Sequence, residues 1–176
     1  MRLEMRFTGS GGQGVILCSI VLAEAAFLAG KNVAQSQSYG PEARGGLCRA
    51  ELIVDDEKIV YPRVTRADFL LALTQESLDK YGSGMNGLIV TDESLKATGK
   101  AVALPILRTA SEVVGNPMTA NIVAAGAVNA LLGIVPDVLL ERAMLMNVPS
   151  GTERANLAAL RAGRRLIGES AGYSSV

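Results

Sequence analysis

Two glycine-bearing stretches hold most of the residues in this sequence that could do chemistry. In Gly9-Ser10-Gly11-Gly12-Gln13-Gly14, spaced glycines separate an alternating segment from a long apolar one. That spacing suits a strand turning tightly into a helix, where small residues let backbone N–H groups and the helix N-terminus approach a phosphate. The same turn also serves simply to pack a helix on a strand, so by itself it names no ligand. A nicotinamide dinucleotide would need an acidic residue at the end of the next strand for its ribose; that position reads Ser38-Tyr39. The second stretch is Ser38-Tyr39-Gly40-Pro41-Glu42-Ala43-Arg44-Gly45-Gly46. Arg44 offers a guanidinium fork for phosphate or carboxylate between small residues that leave it accessible. The plainer alternative is a solvated loop with a Glu42–Arg44 contact. Other polar positions have structural readings: Asn116-Pro117 as a helix cap, Asn121 as a satisfied core amide, and Asp55, Asp56 and Glu57 as a solvated hairpin tip. Cys18 and Cys48 read as small buried hydrophobes.

What the sequence lacks narrows the function as much as what it has. There is no histidine and there are only two cysteines. The chain therefore supplies neither the ligand set of an iron–sulfur cluster or structural zinc nor a Ser-His or Cys-His nucleophilic pair. Lys plus Arg equals Asp plus Glu at 17 each, which removes a bulk electrostatic case for nucleic acid or an acidic membrane. Apolar residues make up 49% and charged residues 19%, with 19 glycines besides. So little polar surface implies apolar surface covered by another chain, and the isolated chain is expected to self-associate. No secretory signal precedes the cysteines, so free thiols in the cytoplasm are expected.

These residues need elements to position them, and the 176-residue length suits a single domain over 1–176. Arg2 to Thr8 alternates as a strand, and Val15 to Ala29 is an unbroken helix ended by Gly30. Val33 to Ser38 and Leu47 to Val54 read as strands joined by a loop too short for a helical crossover, which predicts an antiparallel pair in a mixed sheet. Asp68 to Leu73, Gly87 to Asp92 and Ala101 to Ile106 are further strands, with a short polar helix at Gln75 to Tyr81. The last third is helical, at Met118 to Leu132, Pro136 to Met146 and Thr152 to Ile167, with prolines near two of the starts. Ala120 to Val135 is almost wholly apolar, but Asn121 and Asn129 interrupt it and it is short for a membrane span, so it reads as a buried core or interface helix.

Taken together, the two glycine loops, Gly115-Asn116-Pro117 with Asn121, and the closing Asn156-Leu157-Ala158-Ala159-Leu160-Arg161-Ala162-Gly163 resemble the gamma subunit of 2-oxoacid:ferredoxin oxidoreductases. The motifs follow the family's order and span nearly the whole chain. The resemblance implies a three-layer α/β/α domain with a mixed, mainly parallel sheet, similar to the gamma domain of pyruvate:ferredoxin oxidoreductase. It also implies a subunit that is not catalytic alone, within an enzyme that decarboxylates a 2-oxoacid and makes an acyl-coenzyme A. Thiamine diphosphate, magnesium and 4Fe-4S clusters then sit on partner subunits (alpha, beta and a ferredoxin-like delta), and electrons leave to ferredoxin. For this chain the resemblance implies a share in the coenzyme A site, through Gly11, Gly12, Gln13, Gly14 and Val15 of the first loop and Ser38, Tyr39, Glu42, Arg44 and Gly45 of the second. Ile59-Val60-Tyr61-Pro62-Arg63-Val64 and Leu71-Ala72-Leu73-Thr74-Gln75-Glu76 look most like the 2-oxoglutarate branch, with the pyruvate and branched-chain branches open. Two other classes compete: a stand-alone NAD-type nucleotide-binding protein, on the glycines alone, and a membrane-associated scaffold built on Ala120 to Val135.

Overall fold

A computed structural model describes residues 1–40, 46–97 and 101–170. Its centre is a sheet of β1 (Arg2–Ser10), β2 (Asn32–Tyr39), β3 (Leu47–Asp55), β4 (Phe69–Ala72), β5 (Leu88–Asp92) and β6 (Ala101–Leu104). The spatial order is β2-β3-β1-β4-β5-β6. β3 is antiparallel to both its neighbours, while β1, β4, β5 and β6 pair in parallel, so the expected mixed, mainly parallel sheet is present. The alternation of β1 follows from this place. Met5 and Phe7 enter the main core, and Arg2, Glu4, Arg6 and Thr8 point to the other face, where a short helix and the irregular chain between β3 and β4 pack.

The helices are α1 (Val15–Leu28), α2 (Gln75–Gly82), α3 (Ile106–Arg108), α4 (Ala120–Leu132), α5 (Asp137–Asn147) and α6 (Glu153–Ser170). α1 has so many apolar residues around its circumference because it lies between the sheet and α4 and α5. It ends where Gly30 takes a left-handed φ of 79°, and the Lys31 N–H closes back on the Ala26 carbonyl at 3.0 Å. α4 is buried from Ala120 to Asn129, mainly beneath α6, so the most apolar stretch of the chain is core. No helix among the described residues is long and apolar enough to cross a membrane.

The layers are unequal. α1, α4, α5 and α6 share one core with one face of the sheet, while α2 alone packs over β1 and β4 on the other, around Leu70, Ala72, Leu78 and Ile89. α2 starts at Thr74, whose side chain accepts from the Ser77 N–H while Ser77 answers to the Thr74 N–H. Beyond it, Ser36 and Ser38 of β2 are exposed on the face that turns away from α1, while on the same face of β3 Arg49 and Glu51 are partly exposed and Ile53 and Asp55 are buried.

Two expectations change. The acids after β3 form no hairpin tip. Asp55 closes the strand opposite Arg2, with Arg2 Nη1 3.2 Å away, and Asp56 binds Lys31 and the N-terminal ammonium. The stretch after β6, which has no clear sequence signal, forms α3 and continues into a wider π turn over Thr109–Val113, with the Val114 N–H reaching back to Thr109 at 3.0 Å.

Candidate functional site

The carboxyl ends of β1, β2 and β4 lie along one edge of the sheet, which is where α/β sheets bind ligands, beside the point at which connections switch faces. Here α1 leaves β1 to one face and α2 leaves β4 to the other. The first glycine loop is built at this switch. The Gly11 N–H donates to the Gly46 carbonyl at 2.9 Å, which ties it to the far end of the second loop. Gln13 turns back on its own loop: its Oε1 accepts from the Ser10 N–H at 2.8 Å and its Nε2 donates to the Leu73 carbonyl at 3.2 Å. Both ends of the amide are therefore engaged within the fold, and Gln13 braces the loop against β4. Val15 is buried in the core, so only its backbone can face a ligand.

Two of the glycines are needed for physical reasons. Gly14 has φ 72°, and a Cβ there would stand 2.5 Å from Asn121 Nδ2, so it can be neither turned nor enlarged cheaply. Asn121, at the start of α4, donates weakly to the Gly14 carbonyl at 3.4 Å and accepts from the Ile122 N–H, as a satisfied core amide should. Asn116 caps the turn before α4 by accepting from the Met118 N–H at 3.1 Å. Gly12 is exposed with φ 94°, and nothing lies within 4 Å of where its Cβ would be. The loop thus presents bare backbone to its surroundings just ahead of the helix N-terminus.

Ser38 and Tyr39 end β2 at the same edge, and both are exposed. The structure therefore brings Gly11, Gly12, Gln13, Gly14 and Val15 together with Ser38 and Tyr39. Glu42, Arg44 and Gly45 lie outside the described residues.

Side chains that sequence reading did not single out complete the neighbourhood. A groove of about 570 Å³ is lined by Ser38, Tyr39, Gly40, Leu47, Arg49, Glu76, Lys80 and Tyr81. Register explains part of it: Ser38 of β2 and Arg49 of β3 are direct cross-strand partners, and so share the open face. The only hint in the sequence was the charged pair Arg49 and Glu51 at alternate positions of a strand, with nothing to show that Lys80 and Tyr81 of α2 would lie beside them.

The cysteines are structural. Cys18 is buried and free, with its thiol pushed up to about 12 by burial, and burial also raises the thiol of Cys48. Among the described residues no group of three His, Cys, Asp or Glu side chains is placed to hold a metal ion. What the described part of the site offers is bare backbone at Gly12 and fixed charge at Arg49 and Lys80.

The profile of the pyruvate ferredoxin/flavodoxin oxidoreductase family matches residues 4–166. The sequence is 41% identical over 179 residues to the 2-oxoglutarate synthase subunit KorC of Methanocaldococcus jannaschii, covering 96% of each chain. It is 33% identical over 157 residues to the pyruvate/ketoisovalerate oxidoreductases common subunit gamma of Thermococcus litoralis, covering 81% of this chain and 84% of that one. In structure it is similar to the gamma subunit of keto/oxoacid ferredoxin oxidoreductase from Geobacter sulfurreducens PCA, with a TM-score of 0.85 and 40% identity over 96% of this chain and 98% of the other.

Proposed function

Because this chain belongs to the pyruvate ferredoxin/flavodoxin oxidoreductase family, as a gamma-type subunit of a 2-oxoacid:ferredoxin oxidoreductase, we propose that it forms part of the coenzyme A site of an enzyme acting on 2-oxoglutarate. The 2-oxoglutarate assignment is supported by identity to 2-oxoglutarate synthase subunits over nearly the full length of both chains. Its partners are then alpha and beta subunits and a ferredoxin-like delta subunit in the cytoplasm. These carry the thiamine diphosphate and the clusters, for which the two cysteines of this chain are too few.

The observation that carries the coenzyme A reading is the meeting of the two loops at the carboxyl edge of the sheet, tied by the Gly11–Gly46 hydrogen bond and leaving Gly12 bare. The N–H groups of Ser10, Gly11 and Gln13 already donate within the fold, so a diphosphate resting there would meet the bare backbone at Gly12 and the positive end of α1. No side chain is required to break a bond. The chain's task is to hold the thiol-bearing substrate in place, while acyl transfer takes place on atoms held by other subunits. A nicotinamide dinucleotide is less well served, since β2 ends in Ser38 and Tyr39 with no carboxylate for its ribose.

The test rests on Arg44, argued from its chemistry alone. In the assembled enzyme, Arg44→Ala should raise the KM for coenzyme A by about tenfold or more, as expected for losing one charge-assisted phosphate contact. KM for the 2-oxoacid should hardly move. Wild-type dependence on coenzyme A in a variant that assembles normally would show the assignment to be wrong. Failure to assemble would favour a structural Arg44.

A further inference from the structure

On one side the sheet ends in β2, and this edge carries none of the devices that keep a free strand from pairing with another chain. We propose that it pairs antiparallel with the same edge of a second copy of this chain, about a two-fold axis through Ser36. The pairing rests on β2 backbone and is independent of whether the glycine loops hold coenzyme A.

Register decides which backbone groups of β2 are free. Gly40 continues the β2–β3 ladder, and its N–H donates to the Leu47 carbonyl at 2.7 Å. Hydrogen-bonded positions alternate along an antiparallel pair, so Asn32, Ala34, Ser36 and Ser38 give both backbone groups to β3, and Val33, Gln35, Gln37 and Tyr39 turn theirs outward. Among the described residues no strand lies on that side. Such a row is ordinarily blunted by shortness, a bulge, proline or charge. The opposite edge, β6, is short, at 4 residues. β2 has 8, pairs with β3 without a break from Asn32 to Tyr39, and contains neither proline nor a charged residue. From Ser36 to Tyr39 it is exposed.

A second copy fits because the strand is complementary to itself. A two-fold axis through Ser36, perpendicular to the sheet, keeps like faces together and sets Gln35 opposite Gln37 and Val33 opposite Tyr39 in both directions. Every outward N–H then meets an outward carbonyl of the other copy. Moving the register by two residues either way leaves Val33 or Tyr39 without an opposite residue in the strand, and moving it by one sets side chains on the wrong faces. No like charges oppose each other across the axis, and Val33 with Tyr39 makes an apolar–aromatic cross-strand pair. The same axis places α1 of both copies, which rests on β2 and β3, and the α5 that packs on it, on one side of the joined sheet. The apolar side chains that this layer leaves exposed, Phe27, Val138, Leu145 and Met146, thus come to the same side.

Cys18 and Cys48 are buried, so an added surface cysteine reports on the pairing alone. Ser36 and its copy form a pair of the non-hydrogen-bonded kind, with Cα atoms about 4.5 Å apart, which a disulfide can bridge. Ser38 lies opposite Ala34, so it and its own copy are roughly 13 Å apart along the strand, which a disulfide cannot bridge. Under mild oxidation the full chain with Ser36→Cys should form a linked dimer at least about tenfold faster than the chain with Ser38→Cys. Gln37→Pro removes an outward N–H and leaves the β2–β3 ladder whole, a change that edge strands accept, and should weaken the dimer in sedimentation by about tenfold. Gln35 is kept, because its Nε2 donates to Ser19 Oγ at 3.1 Å. Ser36→Lys, which sets like charges at the axis, should weaken the dimer as well, and an unchanged circular dichroism spectrum shows that each variant folds. Equal linking of the two cysteine variants, a monomeric natural chain, or a dimer indifferent to both Gln37→Pro and Ser36→Lys overturns the proposal; a dimer held through α5 alone gives the last of these results.

Discussion

Burial pushes the Glu4 carboxyl towards protonation, but the Thr65 N–H, the Arg2 guanidinium and the Arg66 N–H outweigh it and hold the group below its usual range. The contacts are close: 2.9 Å from Thr65, 2.9 Å from Arg2 Nε and 3.3 Å from Arg66. One carboxylate thereby fastens the irregular chain between β3 and β4 to the central strand. A depressed carboxylate stabilises the fold fully above its unfolded value, here 4.5, and that contribution is lost as pH falls through the lower folded value. Glu4→Gln should cost about 1–3 kcal/mol at neutral pH, the scale of hydrogen bonds to a charged group. Thermal midpoints measured from neutral to acidic pH should fall less steeply for the variant than for the natural chain, and equal slopes would show that Glu4 does not govern the acid limb. Gln13 teaches a related lesson: a side chain in a ligand-like motif can spend both its hydrogen-bonding ends on the loop that carries it.

Helices α4 and α6 approach until their backbones touch at a reciprocal pair of glycines. A Cβ on Gly126 would fall 2.1 Å from the Leu160 carbonyl oxygen, and one on Gly163 would fall 1.9 Å from that of Val123. Backbone cannot step aside as a side chain can, so the helices would have to separate. Gly163→Ala, though it favours helix locally, should destabilise the chain by about 1–3 kcal/mol, the usual cost of overpacking. Denaturant unfolding measures it, and a gain in stability would contradict the close crossing. Elements of this kind were partly legible beforehand. Gly30, Pro117 and the alternation of Arg2 to Thr8 marked boundaries because they act locally. The short β2–β3 link foretold their antiparallel pairing for the same reason. The π turn over Thr109–Val113 had no such marker, and Asp55 misled because its partner, Arg2, is 53 residues away. The site divides in the same way. Its glycine loops stand out as runs, while Arg49, Lys80 and Tyr81 become neighbours only through strand register and the placing of α2.

The whole molecule still shows apolar surface once α4 is buried. Val138, Leu145 and Met146 of α5 are exposed, as is Phe27 at the end of α1, against which α5 packs. The self-association expected from composition therefore has its motive here rather than in α4. Sedimentation of the isolated chain should show a dimer or larger species, and Leu145→Glu should shift it towards monomer. A natural chain that stays monomeric at high concentration would remove that motive. The packing of α4 under α6 also bears on how the chain is made. β1, β2 and β3 can pair as soon as β3 exists, but the other edge of β1 waits for β4, with Met5 opposite Phe69, and α4 waits for a helix that starts at Glu153. Synthesis proceeds at roughly 5–20 residues per second, and throughout the interval before α6 emerges the apolar side of α4 has no cover within the chain. The protein is thus prone to stick to others during synthesis until α6 has emerged to cover α4.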